Sequence, residues 1–205
     1  MTIRNQRTAF GVKILNSNHN EVRRLKREGF VAGIHGNKFW NSSFLIMDYL
    51  KRHPLKKKVR VLEIGCGWGL LGIYCARQFE AQVTGIDADA NVLPYLQLHA
   101  KENRVSVEGK KMTFQQLTTA KLREYDLIVG ADICFWEEMS GMLLNLIRRA
   151  KRAGVSQVLI ADPCRSPFTD LAQKCQKLYG DKARVEEKRL KRPVNASGEI
   201  LIVDL

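Results

Sequence analysis

Residues 61–69 read V-L-E-I-G-C-G-W-G, an apolar run that breaks into glycines at alternate positions, Gly65, Gly67 and Gly69. Val59–Gly65 has strand character, and Leu70, Leu71, Ile73, Tyr74 and Phe79 follow at helical spacing, so the glycines occupy a strand-to-helix turn. Glycine at this density costs backbone entropy, which implies a loop that has to be bare of side chains. Such a turn aims backbone N–H groups at whatever lies beyond the helix start. A dinucleotide fingerprint G-x-G-x-x-G does not fit, because Leu70 stands at its last glycine, and no G-K-[ST] follows to make a P-loop. What remains is E-x-G-x-G-x-G from Glu63 to Gly69, with Asp87 closing the next apolar run. Asp87 lies twenty residues beyond Gly67, a spacing that sets a carboxylate against ribose hydroxyls. Together the loop and the carboxylate point to a nucleoside-bearing cofactor.

Outward from this turn, short β-branched or apolar runs recur at Gln82–Asp87, Lys111–Leu117, Asp126–Asp132 and Gln157–Asp162. Helical patterns separate them. The clearest is Met139, Met142, Leu143, Leu146, Ile147 and Ala150 between the fourth and fifth runs. Alternation of this kind predicts an α/β fold with a mostly parallel sheet. Near the C-terminus, Arg184–Leu190 and Glu199–Leu205 are joined through Pro193, Asn195 and Gly198 with no room for a helix, so those two strands are expected to be antiparallel. Residues 1–43 show no strand pattern and are expected to form a helical cap on a core spanning 44–205, the whole making a single domain.

The 205 residues suit one well-packed domain. No apolar stretch approaches the roughly 18 residues of a membrane span, and the polar first twenty residues lack the apolar segment of a signal peptide. The five cysteines, Cys66, Cys75, Cys134, Cys164 and Cys175, form no C-x-x-C pair, which argues against disulfides and a zinc cluster and for a cytoplasmic home. None of His19, His35, His53 and His99 is spaced with another ligand, so no metal is expected. Lys and Arg number 34 against 21 Asp and Glu, a formal charge of +13. That excess favours nucleic acid, an acidic protein surface or an anionic small molecule as partner, although each basic cluster (Arg23–Arg27, Lys56–Lys58, Arg148–Arg152, Lys188–Arg192) also reads as a solvated face.

With the glycine loop and Asp87 in place, the chain from Lys38 onward resembles the class I, seven-β-strand S-adenosylmethionine-dependent methyltransferases. The resemblance implies a Rossmann-like doubly wound sheet of seven strands with an antiparallel C-terminal hairpin, and S-adenosylmethionine as cofactor. It further implies that Gly65, Cys66 and Gly67 line the methionine end, that Asp87 binds the ribose, and that Gln116 and Leu117 flank the adenine, with Glu63, Gly69 and Ala131 also at the cofactor. F-W-N-S-S-F-L-I (39–46) is similar to the tryptophan-led helix entry of the protein lysine methyltransferases within that family, which would set Trp40 over the cofactor; the same Trp40 also reads as a core anchor with Asn41 or Ser42 as helix cap. G-A-D-I-C-F-W-E-E (130–138) resembles that group's D-x-x-[YF] element, and A-D-P-C-R-S-P-F (161–168) its D-P-x-R element, with Cys164 where glycine is usual and Phe135 where some relatives carry a phenol.

Gly65, Asp87, Gln116, Asp132 and Asp162 all fall at the carboxyl ends of the expected strands, the edge at which open α/β sheets bind ligands. Methyl transfer is an in-line displacement that depends on placing the nucleophile, and a lysine nucleophile also has to lose a proton. Asp132 is the candidate carboxylate for orienting that amine; the alternative is a cap on the following helix around Glu137. Phe135 and Trp136 wall a channel for an aliphatic cation or belong to the core, and Asp162 and Arg165 are candidates for the substrate side. The expected substrate is a protein lysine on an acidic surface. An RNA base methyltransferase is the alternative, although A-D-I-C-F-W lacks the proline pair of an amino-nitrogen enzyme. A non-catalytic interaction module is the other.

Overall fold

In the computed structural model, which describes residues 5–33, 36 and 38–205, Phe10 and Gly11 both adopt positive φ, at 51° and 77°. That is the geometry of a two-residue hairpin turn, and it joins β1 (Gln6–Ala9) to antiparallel β2 (Val12–Leu15). The hairpin corrects the expectation of a strandless cap over residues 1–43. Its strands are four residues long, too short for a period of two to declare itself, and Gln6–Thr8 are exposed while Ala9, Val12, Ile14 and Leu15 are buried. Helix α1 (Asn20–Arg27) follows, with the His19 side chain accepting the Glu21 N–H at its start. Helix α2 (Ser42–Arg52) then opens the core.

From β3 (Arg60–Ile64) the alternation expected from sequence is present: α3 (Leu70–Phe79), β4 (Gln82–Asp87), α4 (Leu93–Asn103), β5 (Glu108–Lys111), the short α5 (Thr119–Leu122), β6 (Leu127–Ala131), α6 (Glu137–Ala153), β7 (Gln157–Asp162) and α7 (Ser166–Tyr179). The chain closes with β8 (Ala183–Leu190) and β9 (Ala196–Asp204). These strands form a seven-stranded sheet in the order β5-β4-β3-β6-β7-β9-β8. Pairings among β3 to β7 are parallel, and β9 runs antiparallel to both β7 and β8, from Asp162↔Glu199 to Gln157↔Asp204 on the inner side. The architecture is Rossmann-like, and the order reverses between β3 and β6, which places the ligand-binding crevice at their carboxyl ends.

Strands β3, β6 and β7 are buried over nearly their whole length because helices cover both faces of the sheet. One core packs α2, α3 and α4 with the N-terminal hairpin against the sheet; the other packs α5, α6 and α7. Helix α6 carries its own boundary signals, with Glu137 and Glu138 in the first turn, Lys151 and Arg152 in the last and Gly154 at φ 85° ending it. Four of the cysteines are buried as small apolar side chains and Cys164 is exposed. No helix among the described residues is long and apolar enough to cross a membrane.

The third strand of the sheet differs from its expected position at 111–117. It is the polar edge strand Glu108–Lys111, paired on one side only, to β4. Met112, Phe114 and Leu117 belong instead to a turn over Phe114–Gln116. There the Gln116 side-chain oxygen accepts the Thr113 N–H at 2.9 Å, and Arg149 of α6 donates to the carbonyls of Phe114 and Leu117, both at 2.8 Å. Their apolar side chains serve burial under α6 and a cleft wall, not a pleat.

Candidate active site

The glycine turn bends over the carboxyl end of β3. Gly65, Gly67 and Gly69 all have positive φ. A Cβ on Gly69 would lie 1.8 Å from Leu96 Cδ1 and one on Gly65 2.6 Å from Ile133 Cγ2, whereas one on Gly67 would meet nothing within 4 Å. Gly67 therefore faces open space and Gly69 faces protein. Asp87, the last residue of β4, accepts the Gly67 N–H on Oδ2 and the Asp89 N–H on Oδ1, each at 3.0 Å. Burial pushes its carboxyl above the usual range despite those amides. Each oxygen keeps a further lone pair, and Asp87 lines a cleft of about 620 Å³.

Gly65, Gly67, Asp87, Ala131, Asp132, Phe135 and Trp136 of the expected residues line this cleft, joined by Trp40. Its apolar wall comes from Met112, Phe114, Met139 and Met142. Val31, Gly33, Gly36 and Lys38 also line the cleft; Asp89 Oδ2 accepts the Gly33 N–H at 2.7 Å and Trp68 donates to the Gly36 carbonyl at 3.0 Å.

Other expected contacts stand outside the cleft. Glu63 is buried behind the loop, its Oε2 accepting the Gly72 N–H at 3.0 Å, and burial pushes its carboxyl up to about 8. It holds the start of α3 against β3. Cys66 is turned toward Gly85, and the same burial raises its thiol. Leu117 is packed in the core and Gln116 is spent on its own turn. The turn shift described above is the reason: it brings Met112, Thr113, Phe114 and Gln115 to the cleft in their place.

Asp132 follows β6 with φ 56°, a strained conformation for a residue with a side chain. It is buried. Oδ2 accepts the Ser42 N–H at 3.0 Å, and Oδ1 accepts from Arg165 Nη2 at 3.1 Å. The helix it caps is thus α2, not α6. Arg165 also donates through its backbone N–H and Nη1 to Asp162, at 2.8 and 2.7 Å. Asp162 is fully buried, its carboxyl raised by desolvation, and supports the guanidinium without reaching the cleft. The guanidinium lies 4.2 Å from the Phe135 ring centroid and 5.9 Å from that of Trp40. Trp40 and Phe135 meet edge to face at 5.4 Å. Trp40 is half-buried and borders open space, and Phe44, fully buried, anchors that stretch to the core.

A second cleft, of about 880 Å³, lies on the other side of Trp40. Lys38, Trp40 and Asp132 line both clefts. Arg7 of β1, Arg165, Asn41 and Ser197 complete much of the second. Arg7 and Lys38 were not expected from sequence. Arg7 enters through the hairpin that the pattern of residues 1–43 concealed, and Lys38 carries no signal beyond standing two residues before Trp40. Among the described residues no histidine lines either cleft: His19 caps α1, His53 stacks on Tyr49 at 4.3 Å, and the buried His99 Nε2 accepts the Leu15 N–H at 3.2 Å. His35 lies outside the described residues.

Comparison with known proteins agrees with this geometry. A family profile described as a methyltransferase domain matches residues 61–154. The ubiquinone biosynthesis O-methyltransferase of Hahella chejuensis is 33% identical over 84 residues, 41% of this chain and 35% of that protein. Phosphoethanolamine N-methyltransferase 1 of Arabidopsis thaliana is 30% identical over 129 residues, 62% of this chain and 25% of that protein. The chain thus spans about a third or less of the length of these relatives. Among solved structures, a precorrin-6y C5,15-methyltransferase from Geobacter metallireducens superposes with a TM-score of 0.62 at 13% identity, covering 86% of this chain and 94% of that one. A tRNA (uracil-54, C5)-methyltransferase from Pyrococcus abyssi, solved with S-adenosyl-L-homocysteine, superposes with a TM-score of 0.61 at 14% identity, over 97% of this chain and 42% of that one.

Proposed function

We propose that this chain, a class I methyltransferase in its fold and in the domain matched over residues 61–154, is an S-adenosylmethionine-dependent enzyme that methylates a lysine side chain of a protein. The observation that carries the reading is the sharing of Asp132 and Trp40 by two adjoining clefts, one suited to the cofactor and one free for an acceptor. The residues fit the cofactor. Asp87 offers paired carboxylate oxygens for ribose hydroxyls, Gly67 leaves the backbone bare, and Met112 and Phe114 supply an apolar wall for a base. S-adenosylmethionine, when bound, supplies a methyl group on an electrophilic sulfonium.

The chain's own part is placement. Asp132 is held rigidly by Arg165 and the Ser42 amide, and each of its oxygens retains a lone pair with which to accept an N–H from an incoming amine. Because Arg165 already shares its charge, Asp132 orients the amine, and the proton leaves through the open cleft to water. Trp40 and Phe135 form the aromatic wall along which an aliphatic side chain slides. The basic excess of the chain supports an acidic surface around the target lysine.

Labelling tests it. A lysate of the source organism, treated with the enzyme and tritiated S-adenosylmethionine, should carry label that survives ribonuclease and appears as methyllysine after acid hydrolysis. Label in a methylated nucleoside would overturn the protein substrate in favour of RNA. Methylarginine or methylhistidine would keep the protein and move the nucleophile.

A further inference from the structure

The acceptor cleft is lined by three cationic side chains, Arg7, Lys38 and Arg165, against the single carboxylate of Asp132. Arg165 is spent on Asp132 and Asp162. Arg7 and Lys38 are not spent: among the described residues neither makes an ion pair. The Arg7 guanidinium instead lies 4.4 Å from the Phe39 ring centroid and Lys38 Nζ 4.3 Å from that of Trp40. Several basic side chains elsewhere are held by the fold. Arg24, Lys57, Arg60 and Lys188 have carboxylate partners, and Arg149 holds the 114–117 turn. Partial burial lowers the proton affinity of Arg7 with no carboxylate to offset it.

We propose that Arg7 and Lys38 form a carboxylate subsite that seats an acidic side chain flanking the target lysine. The proposal rests on the lysine reading of the same site and deepens it into a sequence preference. An ammonium entering alone would meet the two uncompensated charges of Arg7 and Lys38, which repel it. An ammonium that arrives beside a carboxylate brings its own compensation, with the acid taken up by Arg7 and Lys38 and the amine left to Asp132. Arg7 offers the planar fork that pairs with a carboxylate through two N–H groups. Lys38, bordering both clefts, places the acid within a residue or two of the lysine.

The test is calorimetry on the full chain loaded with S-adenosylhomocysteine, titrated with acetyl-Glu-Lys-Glu-amide and with acetyl-Gln-Lys-Gln-amide. The acidic peptide should bind roughly tenfold tighter, the scale of one charge-assisted hydrogen-bonded contact. Arg7→Gln and Lys38→Gln should each remove most of that preference, and Arg7→Lys, which retains charge on the same strand, should keep part of it. Equal affinity for the two peptides, or a preference that survives both glutamine substitutions, would overturn the subsite. So would a uridine trinucleotide that binds tighter than the acidic peptide and is weakened by the same substitutions. If the peptide preference behaves as expected but tritiated S-adenosylmethionine leaves no methyllysine on the acidic peptide, the carboxylate subsite stands and the lysine reading falls.

Discussion

Replacing Glu63 by glutamine should remove a pH dependence from the stability of this chain. The carboxyl is buried beneath the glycine turn, where desolvation and the nearby Asp87 raise it and the amides of Gly72 and Leu71 lower it, leaving it near 8 against an ordinary 4.5. A carboxyl whose folded pKa is raised contributes its full stability below the unfolded value and loses it as pH climbs through the folded one. At 1.36 kcal/mol per unit, the gap amounts to about 5 kcal/mol between pH 4.5 and 8. A glutamine oxygen can accept the same Gly72 N–H, now at 3.0 Å from Glu63, with no charge to desolvate. Urea unfolding of both proteins from pH 5.5 to 8.5 isolates the effect, because every other titrating group is common to the two. The advantage of Glu63→Gln over the parent should grow by roughly 1.4 kcal/mol per pH unit until about pH 8 and then level off. A difference that stays flat across that range would refute the reasoning: Glu63 would then be ionised throughout, held by the amides at the start of α3.

Asp87→Asn should weaken S-adenosylhomocysteine binding by tenfold or more, since about 1.5–3 kcal/mol attends a hydrogen bond to a charged group, and calorimetry reads it directly. For the parent, affinity should fall on acidification at a higher pH than an exposed aspartate would give, because burial raises the Asp87 carboxyl. Asp132→Ala removes both the α2 cap and a partner of Arg165, so stability should drop by about 2 kcal/mol, Asp162 retaining the guanidinium; Asp132→Asn should lower turnover more than cofactor affinity, which kcat measured beside calorimetry will separate. Gly69→Ala places a Cβ against Leu96 at a φ of 70°, so a loss of at least about 2 kcal/mol by urea unfolding is expected, with cofactor binding weakened alongside.

Much of this molecule could be read from local pattern. Strand-helix alternation from residue 60 onward, the glycine turn and Asp87 depend on short-range chemistry, periodicity and chain conformation, which act within a window of a few residues. The same holds for the antiparallel C-terminal pair, because a short connection leaves no other option. Where the pattern misled, a longer-range force had taken over. Met112, Phe114 and Leu117 have the apolar spacing of a strand, yet Arg149, more than thirty residues away, pins the carbonyls of that stretch into a turn. The β1–β2 hairpin is buried on one side by helices that follow it by some sixty residues and more, so its four-residue strands announce nothing by themselves. Asp132 was legible as a strand-end carboxylate. That it caps α2, ninety residues upstream, and is gripped by Arg165 depended on the fold bringing those elements to one edge of the sheet. Sequence alone determined the kind of fold and the placing of Gly65, Gly67 and Asp87 at one cleft, because those reside in contiguous motifs. Which cations line the second cleft was decided only in three dimensions, because Arg7, Lys38 and Arg165 share it with Asp132 while standing far apart along the chain.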